Sequence, residues 1–265
     1  MAIKQLDNQQ AKETSLVPSH PFVMPIIGSI GCGKTTTLVN ILTNEHFYKK
    51  KFHRIIFISI TADLDEKTRK ILQCPDICVS NQALQDEYDK VCKELDDNHE
   101  RTILPKFHGI DDEDVHERYY PEILDNLYKH QKSIIKEFGK HLSDKVLVVI
   151  DDAITAGCYV KSHQDSFAKF ATSLRHVNCS VMHCSQLFKA VPKIIRTQST
   201  CGVFQGVPNE LEIKDIYENF SCGFPFFKWN EIFQVVVSKP FQPFVCNLKN
   251  KPGSKLQRGF EEFVG

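Results

Sequence analysis

The stretch Pro25 to Asn40, PIIGSIGCGKTTTLVN, combines three glycines, one lysine and a run of threonines at a spacing with a chemical use. Read as Gly28, four residues, then Gly33-Lys34-Thr35, it has the spacing of a phosphate-binding loop. Gly28, Gly31 and Gly33 let the backbone take positive φ and bring its N–H groups, those of Ser29, Ile30 and Cys32 included, close to phosphate oxygens. A helix starting at this turn adds partial positive charge at its N-terminus. The Lys34 ammonium is then placed for the β- and γ-phosphates of a nucleoside triphosphate, and the Thr35 hydroxyl for a Mg²⁺ bridging them. Thr36, one step on, belongs to the same stretch and supports the helix turn.

A second group is KVLVVIDD, Lys145 to Asp152, where five apolar residues run into two carboxylates. This is the pattern of a buried strand with acid at its C-terminal end, the edge where open α/β sheets place their ligands. Asp151 is suited to orient a Mg²⁺ shell and Asp152 to polarise an attacking water. A third is CSVMHCSQ, Cys179 to Gln186, a strand ending in an amide. Gln186 can sense a terminal phosphate or orient water, or else cap the next turn.

The elements that must position these groups follow from periodicity. An apolar segment, Phe22 to Ile27, precedes the glycine-rich turn, and HRIIFISI, His53 to Ile60, reads as a strand buried on both faces of a parallel sheet. Helical spacing of Leu84, Tyr88, Val91, Cys92 and Leu95 predicts a helix from Ser80, as N-cap, to about Asp97. A further helix is expected from Pro121 to Phe138, and another carries Phe167, Phe170, Ala171 and Leu174, ending at Arg175-His176. Between the helices ending at Asp97 and starting at Pro121, GIDDEDVHE reads as a surface loop of solvated carboxylates, with a metal role as the alternative. CGVFQG, Cys201 to Gly206, is a short strand, and EIFQVVV with PFVCNL a closing hairpin around Lys239-Pro240. Strands alternating with helices imply an α/β fold, a mostly parallel sheet with helices on both faces.

Length and charge narrow the classes. The 265 residues suffice for one α/β domain, read as an N-terminal arm over 1–20, a core over 21–248 and a basic tail over 249–265. Thirty-three basic and 33 acidic residues cancel, which argues against bulk attraction to nucleic acid. Local contacts would fall to Lys49-Lys50-Lys51 with His53-Arg54, or to Lys249, Lys251, Lys255 and Arg258, each equally readable as solvated charge. The ten cysteines follow no export leader and lack zinc-site spacing, so reduced thiols are expected. The apolar runs are strand-sized, far short of the ~20 residues of a membrane helix.

As a set, GSIGCGKTT, VLVVIDD, a helix ending LRH, a strand ending SQ and VPKIIR resemble the poxvirus-type DNA-packaging ATPases of large DNA viruses and virophages, within the FtsK-HerA superfamily. The resemblance spans roughly residues 22 to 206. It implies a RecA-like P-loop NTPase core, ATP and Mg²⁺ as cofactors, and a homo-oligomeric, hexameric ring that drives double-stranded DNA into a preformed capsid, docked on a capsid or portal-vertex protein. It implies work at the viral assembly site in the host cytoplasm, and a place in the virion. By the same resemblance Lys34 and Thr35 bind nucleotide and Mg²⁺, Asp151 is the metal-side acid, Asp152 the general base and Gln186 the sensor. Arg175 or Arg196 is the arginine finger acting on a neighbouring subunit; the family's second arginine is closely followed by Asn, whereas Thr197-Gln198 follow here, which ranks Arg175 first. The competing reading is a small-molecule or nucleotide kinase, whose Arg-rich lid is not visible, and a soluble helicase or chromosome pump would share every site residue.

Overall fold

The computed structural model describes residues 15–59, 74, 77–97, 120–151, 164–207 and 209–264. Asp152, the acidic stretch 109–117 and the first 14 residues of the N-terminal arm lie outside them.

Among the described residues eight strands form one sheet: β1 Val23–Gly28, β2 Arg54–Ser59, β3 Val146–Asp151, β4 Cys179–Ser185, β5 Cys201–Gln205, β6 Phe244–Asn247, β7 Leu256–Arg258 and β8 Glu262–Phe263. Their order is β2-β3-β4-β1-β5-β6-β7-β8. The first five are parallel, and β6 to β8 close one side as antiparallel additions. The segment read as a basic tail therefore carries two strands of the sheet.

Alternation along the central strands feeds two apolar layers. Val146, Val148 and Ile150 of β3 join Val23, Ile27, Val181 and Phe204 on one face. Leu147 and Val149 join Met24, Ile26, Met182 and Val203 on the other. The second face is covered by α1, Lys34–Thr43, through Leu38, Ile41 and Leu42. After α2, Gln82–Asp97, the helices α3 Tyr120–Phe138, α4 Gln164–Ser173, α5 Lys193–Gln198, α6 Glu210–Phe220 and α7 Phe226–Val237 follow. Residues of α3 to α7 enter the first layer. This is the expected α/β architecture with helices on both faces. Among the described residues no helix is long and apolar enough to cross a membrane.

Three local expectations change. The valine-rich segment before Lys239 is a helix rather than a hairpin strand, because Trp229, Phe233 and Val236 recur at helical spacing and are buried together. Trp229 stacks on Phe233 at 5.2 Å and its indole N–H donates to the Phe220 carbonyl at 2.9 Å. The cap of α2 is Asn81 and not Ser80: the Asn81 side chain accepts from the Leu84 amide at 3.2 Å. Strand β2 sits at the sheet edge and, Ile58 apart, is only half-buried. Cys179 and Cys201 fill the core as small apolar residues, and burial pushes both thiols up, Cys179 to about 12, so neither is a thiolate at neutral pH.

Candidate functional site

The turn between β1 and α1 wraps around its own lysine. Lys34 is 7% exposed, and its Nζ donates to the carbonyls of Gly28 at 2.8 Å and Ser29 at 3.1 Å. Gly31 and Gly33 hold φ of 76° and 102°, the left-handed region that side chains avoid. Gly33 is the N-cap of α1 and offers no side-chain cap to the first N–H groups of the helix, which by helix geometry point back toward the turn. Gly28 is required for another reason: a Cβ there would lie 2.0 Å from the Gln205 carbonyl oxygen of the paired strand β5.

Strand order and register bring the separate motifs to this turn. Because β4 lies between β1 and β3, Ile26 pairs with Cys184, and Cys184 with Asp151. Leu147 and Val149 point to the α1 face, and Asp151, two residues on, continues that alternation. Asp151 is 4% exposed, and on its other side β2 contributes Ser59 as its pair. Adjacent strands are ~4.8 Å apart, so the acid stands about 10 Å across the sheet from the phosphate-loop strand. Gln186 follows β4 and is exposed at its tip, one residue beyond the Ile27–Ser185 pair. Thr35 is half-buried and Thr36 exposed in the first turn of α1. Lys34, Thr35, Asp151 and Gln186 thus gather at the C-terminal edge of the sheet, whereas Asp152 lies outside the described residues.

Neither arginine joins them. Arg175 is exposed four residues before β4, at the opposite, N-terminal edge of the sheet, in a cleft shared with Phe22, Val23 and Thr200. The seven residues of β4 separate it from the phosphate turn by roughly 20 Å. It is therefore out of reach of the phosphate turn of its own chain. Arg196, on α5, is half-buried on the face away from α1; its Nε donates to the Val191 carbonyl at 3.0 Å and its guanidinium lies 5.5 Å over the Phe188 ring.

Two residues near the turn escaped sequence reading. Gln205, 1% exposed at the end of β5, donates from Nε2 to Thr37 Oγ1 at 2.7 Å, and its buried Oε1 has no hydrogen-bond partner among the described residues. The signal was present as a lone amide ending an otherwise apolar strand. Phe241, between α7 and β6, lies against Gly33, and nothing local in the sequence places it there. The basic stretches are largely engaged with their own chain. Lys49 meets Glu45 at 3.3 Å, Arg54 meets Asp144 at 3.3 Å, Arg258 meets Glu262 at 2.7 Å, and Lys249 donates to the Pro21 carbonyl at 2.7 Å.

A glycine-lined turn at a helix N-terminus, with one buried ammonium and a carboxylate on the same sheet edge, can cradle a polyphosphate and offset its charge. No protein-family model and no curated protein matches the sequence. Among solved structures, the fold is similar to the genome packaging NTPase B204 from Sulfolobus turreted icosahedral virus 2 in complex with AMP, at a TM-score of 0.52 and 11% identity, covering 91% of this chain and 98% of that one. Its complex with AMPPCP gives a TM-score of 0.51 at 11% identity, with the same coverage. B204, the DNA-packaging ATPase from Sulfolobus Turreted Icosahedral Virus, gives 0.50 at 13% identity, covering 93% of this chain and 100% of that one. At these identities the likeness establishes the fold alone: this chain has an α/β, RecA-like fold.

Proposed function

We propose that the chain is an ATP-hydrolysing translocase that packages double-stranded viral DNA into a preformed capsid, working as a homo-oligomeric ring docked on a capsid or portal-vertex protein at the assembly site in the host cytoplasm. One observation carries the reading. The strand order sets β4 between β1 and β3, so Gln186, just past the end of β4, stands between the phosphate turn and Asp151 on a single edge, which supports its reading as the sensor. The likeness to packaging NTPases over nearly the whole of both chains supports the same reading.

The residues fit a nucleoside triphosphate with Mg²⁺. Lys34 is held inside the turn by two carbonyls, which supports its reading as the ammonium that meets the β- and γ-phosphates. Thr35 and Asp151 would hold the metal, as hard oxygen donors suited to Mg²⁺. Held there, Mg²⁺ would supply Lewis-acid charge against the phosphate oxygens. Asp152 takes the proton from the attacking water, and Gln186 orients that water. An arginine from a neighbouring subunit, Arg175 ahead of Arg196, offsets the charge of the departing phosphoryl group. Arg175 is exposed and out of reach of its own turn, as a residue acting across an interface must be.

The test is steady-state ATP hydrolysis by the purified chain, with and without long double-stranded DNA, at two salt concentrations. Turnover should rise with DNA and the stimulation should fall with salt, because phosphate contacts release counterions. Lys34→Ala should lose nucleotide binding, while Asp152→Asn should bind ATP and hydrolyse it poorly. Hydrolysis indifferent to DNA and salt would refute the translocase. If turnover instead responded to a nucleoside acceptor, the chain would be a kinase.

A further inference from the structure

The phosphate turn reads only the polyphosphate, which every nucleoside triphosphate shares, so the base must be held by something else. Phe241 is placed to do it. Its ring edge, Cδ1, lies 3.2 Å from where a Cβ on Gly33 would sit, and its own Cβ lies 3.9 Å away, so the side chain stands directly beside the N-cap of α1. Despite that contact the residue is 72% exposed, one of the most exposed large apolar side chains among the described residues.

The backbone there is strained and stiff. Phe241 has a φ of 62°, the left-handed conformation that a bulky residue adopts only when its surroundings impose it. Pro240 precedes it and Pro243 follows shortly after; the Gln242 amide closes the turn on the Lys239 carbonyl at 3.2 Å, and the Gly259 amide bonds the Pro243 carbonyl at 2.8 Å. Phe244 then enters the buried strand β6 beside β5. A folding role would bury this ring; instead the loop holds it out into water at the rim of a phosphate cradle.

We propose that Phe241 is the platform on which the purine base of the bound nucleotide stacks. This rests on the nucleotide-binding reading above and deepens it. A phenyl face has no donor or acceptor, so it grips by π-surface and shape and favours purines over the smaller pyrimidines without distinguishing adenine from guanine. Gly33 lets the ring come close to the turn, which keeps platform and phosphate cradle on one side of α1.

The experiment compares equilibrium binding of ATP and of inorganic tripolyphosphate, both with Mg²⁺, to the full chain and to Phe241→Ala, Phe241→Trp and Lys34→Ala. Phe241→Ala should weaken ATP about tenfold while leaving tripolyphosphate unchanged. Phe241→Trp should keep ATP affinity, and Lys34→Ala should weaken both ligands. Quenching of a 2-aminopurine nucleoside triphosphate on binding should be present in the wild type and lost in Phe241→Ala, a signature that a merely structural role would not move. The proposal is overturned if Phe241→Ala leaves ATP affinity unchanged, or if it weakens ATP and tripolyphosphate equally, which would make the ring a prop for Gly33. A wild-type chain that bound neither compound would overturn the nucleotide reading itself, and the platform with it.

Discussion

Replacing Gly28 by alanine tests the junction on which the site depends. Gly28 pairs with Gln205, and the added methyl would lie 2.0 Å from the Gln205 carbonyl oxygen and 2.5 Å from Cys32 Sγ. Both are well short of the roughly 3.5 Å of ordinary nonbonded contact. Cys32 can rotate away, but the carbonyl is backbone in a strand that is buried throughout. The ends of β1 and β5 must therefore part. Overpacking of this kind costs about 1–3 kcal/mol, and weakening a ladder hydrogen bond adds about 1 kcal/mol, so a loss of about 3 kcal/mol is expected. For a chain of this size that lowers Tm by roughly 6–12 °C. Gly31→Ala is the internal comparison: its φ is 76°, but a Cβ there meets nothing within 4 Å. It should cost only the left-handed backbone, about 1–2 kcal/mol. Urea unfolding with a shared m-value, alongside ATP binding, measures both. If Gly28→Ala unfolded within ~0.5 kcal/mol of wild type and bound ATP normally, the β1–β5 register and the account of the turn would be refuted.

Asn81→Ala should destabilise by about 1–3 kcal/mol, since it removes the α2 cap and two further hydrogen bonds, to the Leu142 carbonyl at 2.8 Å and to Asp144 Oδ1 at 2.9 Å. Asn81→Ser should recover part of the loss, and a neutral Asn81→Ala beside a costly Ser80→Ala would return the cap to Ser80. His183, fully buried on β4, is held down to about 4 by burial. The unfolded chain takes up its proton near 6.5 and the folded chain does not, so this stability is complete above about pH 6.5 and is lost as pH falls toward about 4. Between pH 7 and 5 the loss from this residue is about 2 kcal/mol, measurable as a fall in urea midpoint that His183→Gln should flatten. His20, also lowered to about 4 by burial, leaves a remaining slope of the same sign.

What the residues declare locally, they declared plainly. The glycine-rich turn, the apolar run into Asp151 and the strand ending at Gln186 were legible because strand and helix periods, and the backbone needs of a phosphate turn, are written in neighbouring residues. The same logic misread the segment ending in Val235-Val236-Val237, where β-branched residues suggest a strand but burial of Trp229, Phe233 and Val236 makes a helix. It also misread β2, because an apolar run does not say whether a strand lies at the centre or the edge.

Tertiary structure alone decided which residues meet. That β4 separates β1 from β3, that Gln205 lies under Thr37, that Phe241 reaches Gly33 across more than 200 residues, and that Arg175 stands at the far edge from Lys34 are consequences of strand order and register. Parallel neighbours are joined by crossovers, so adjacency in the sheet is fixed by how the two apolar faces are covered and not by any local pattern. The sequence determined the chemistry available to this protein, and the packing of its two faces determined which groups share a site.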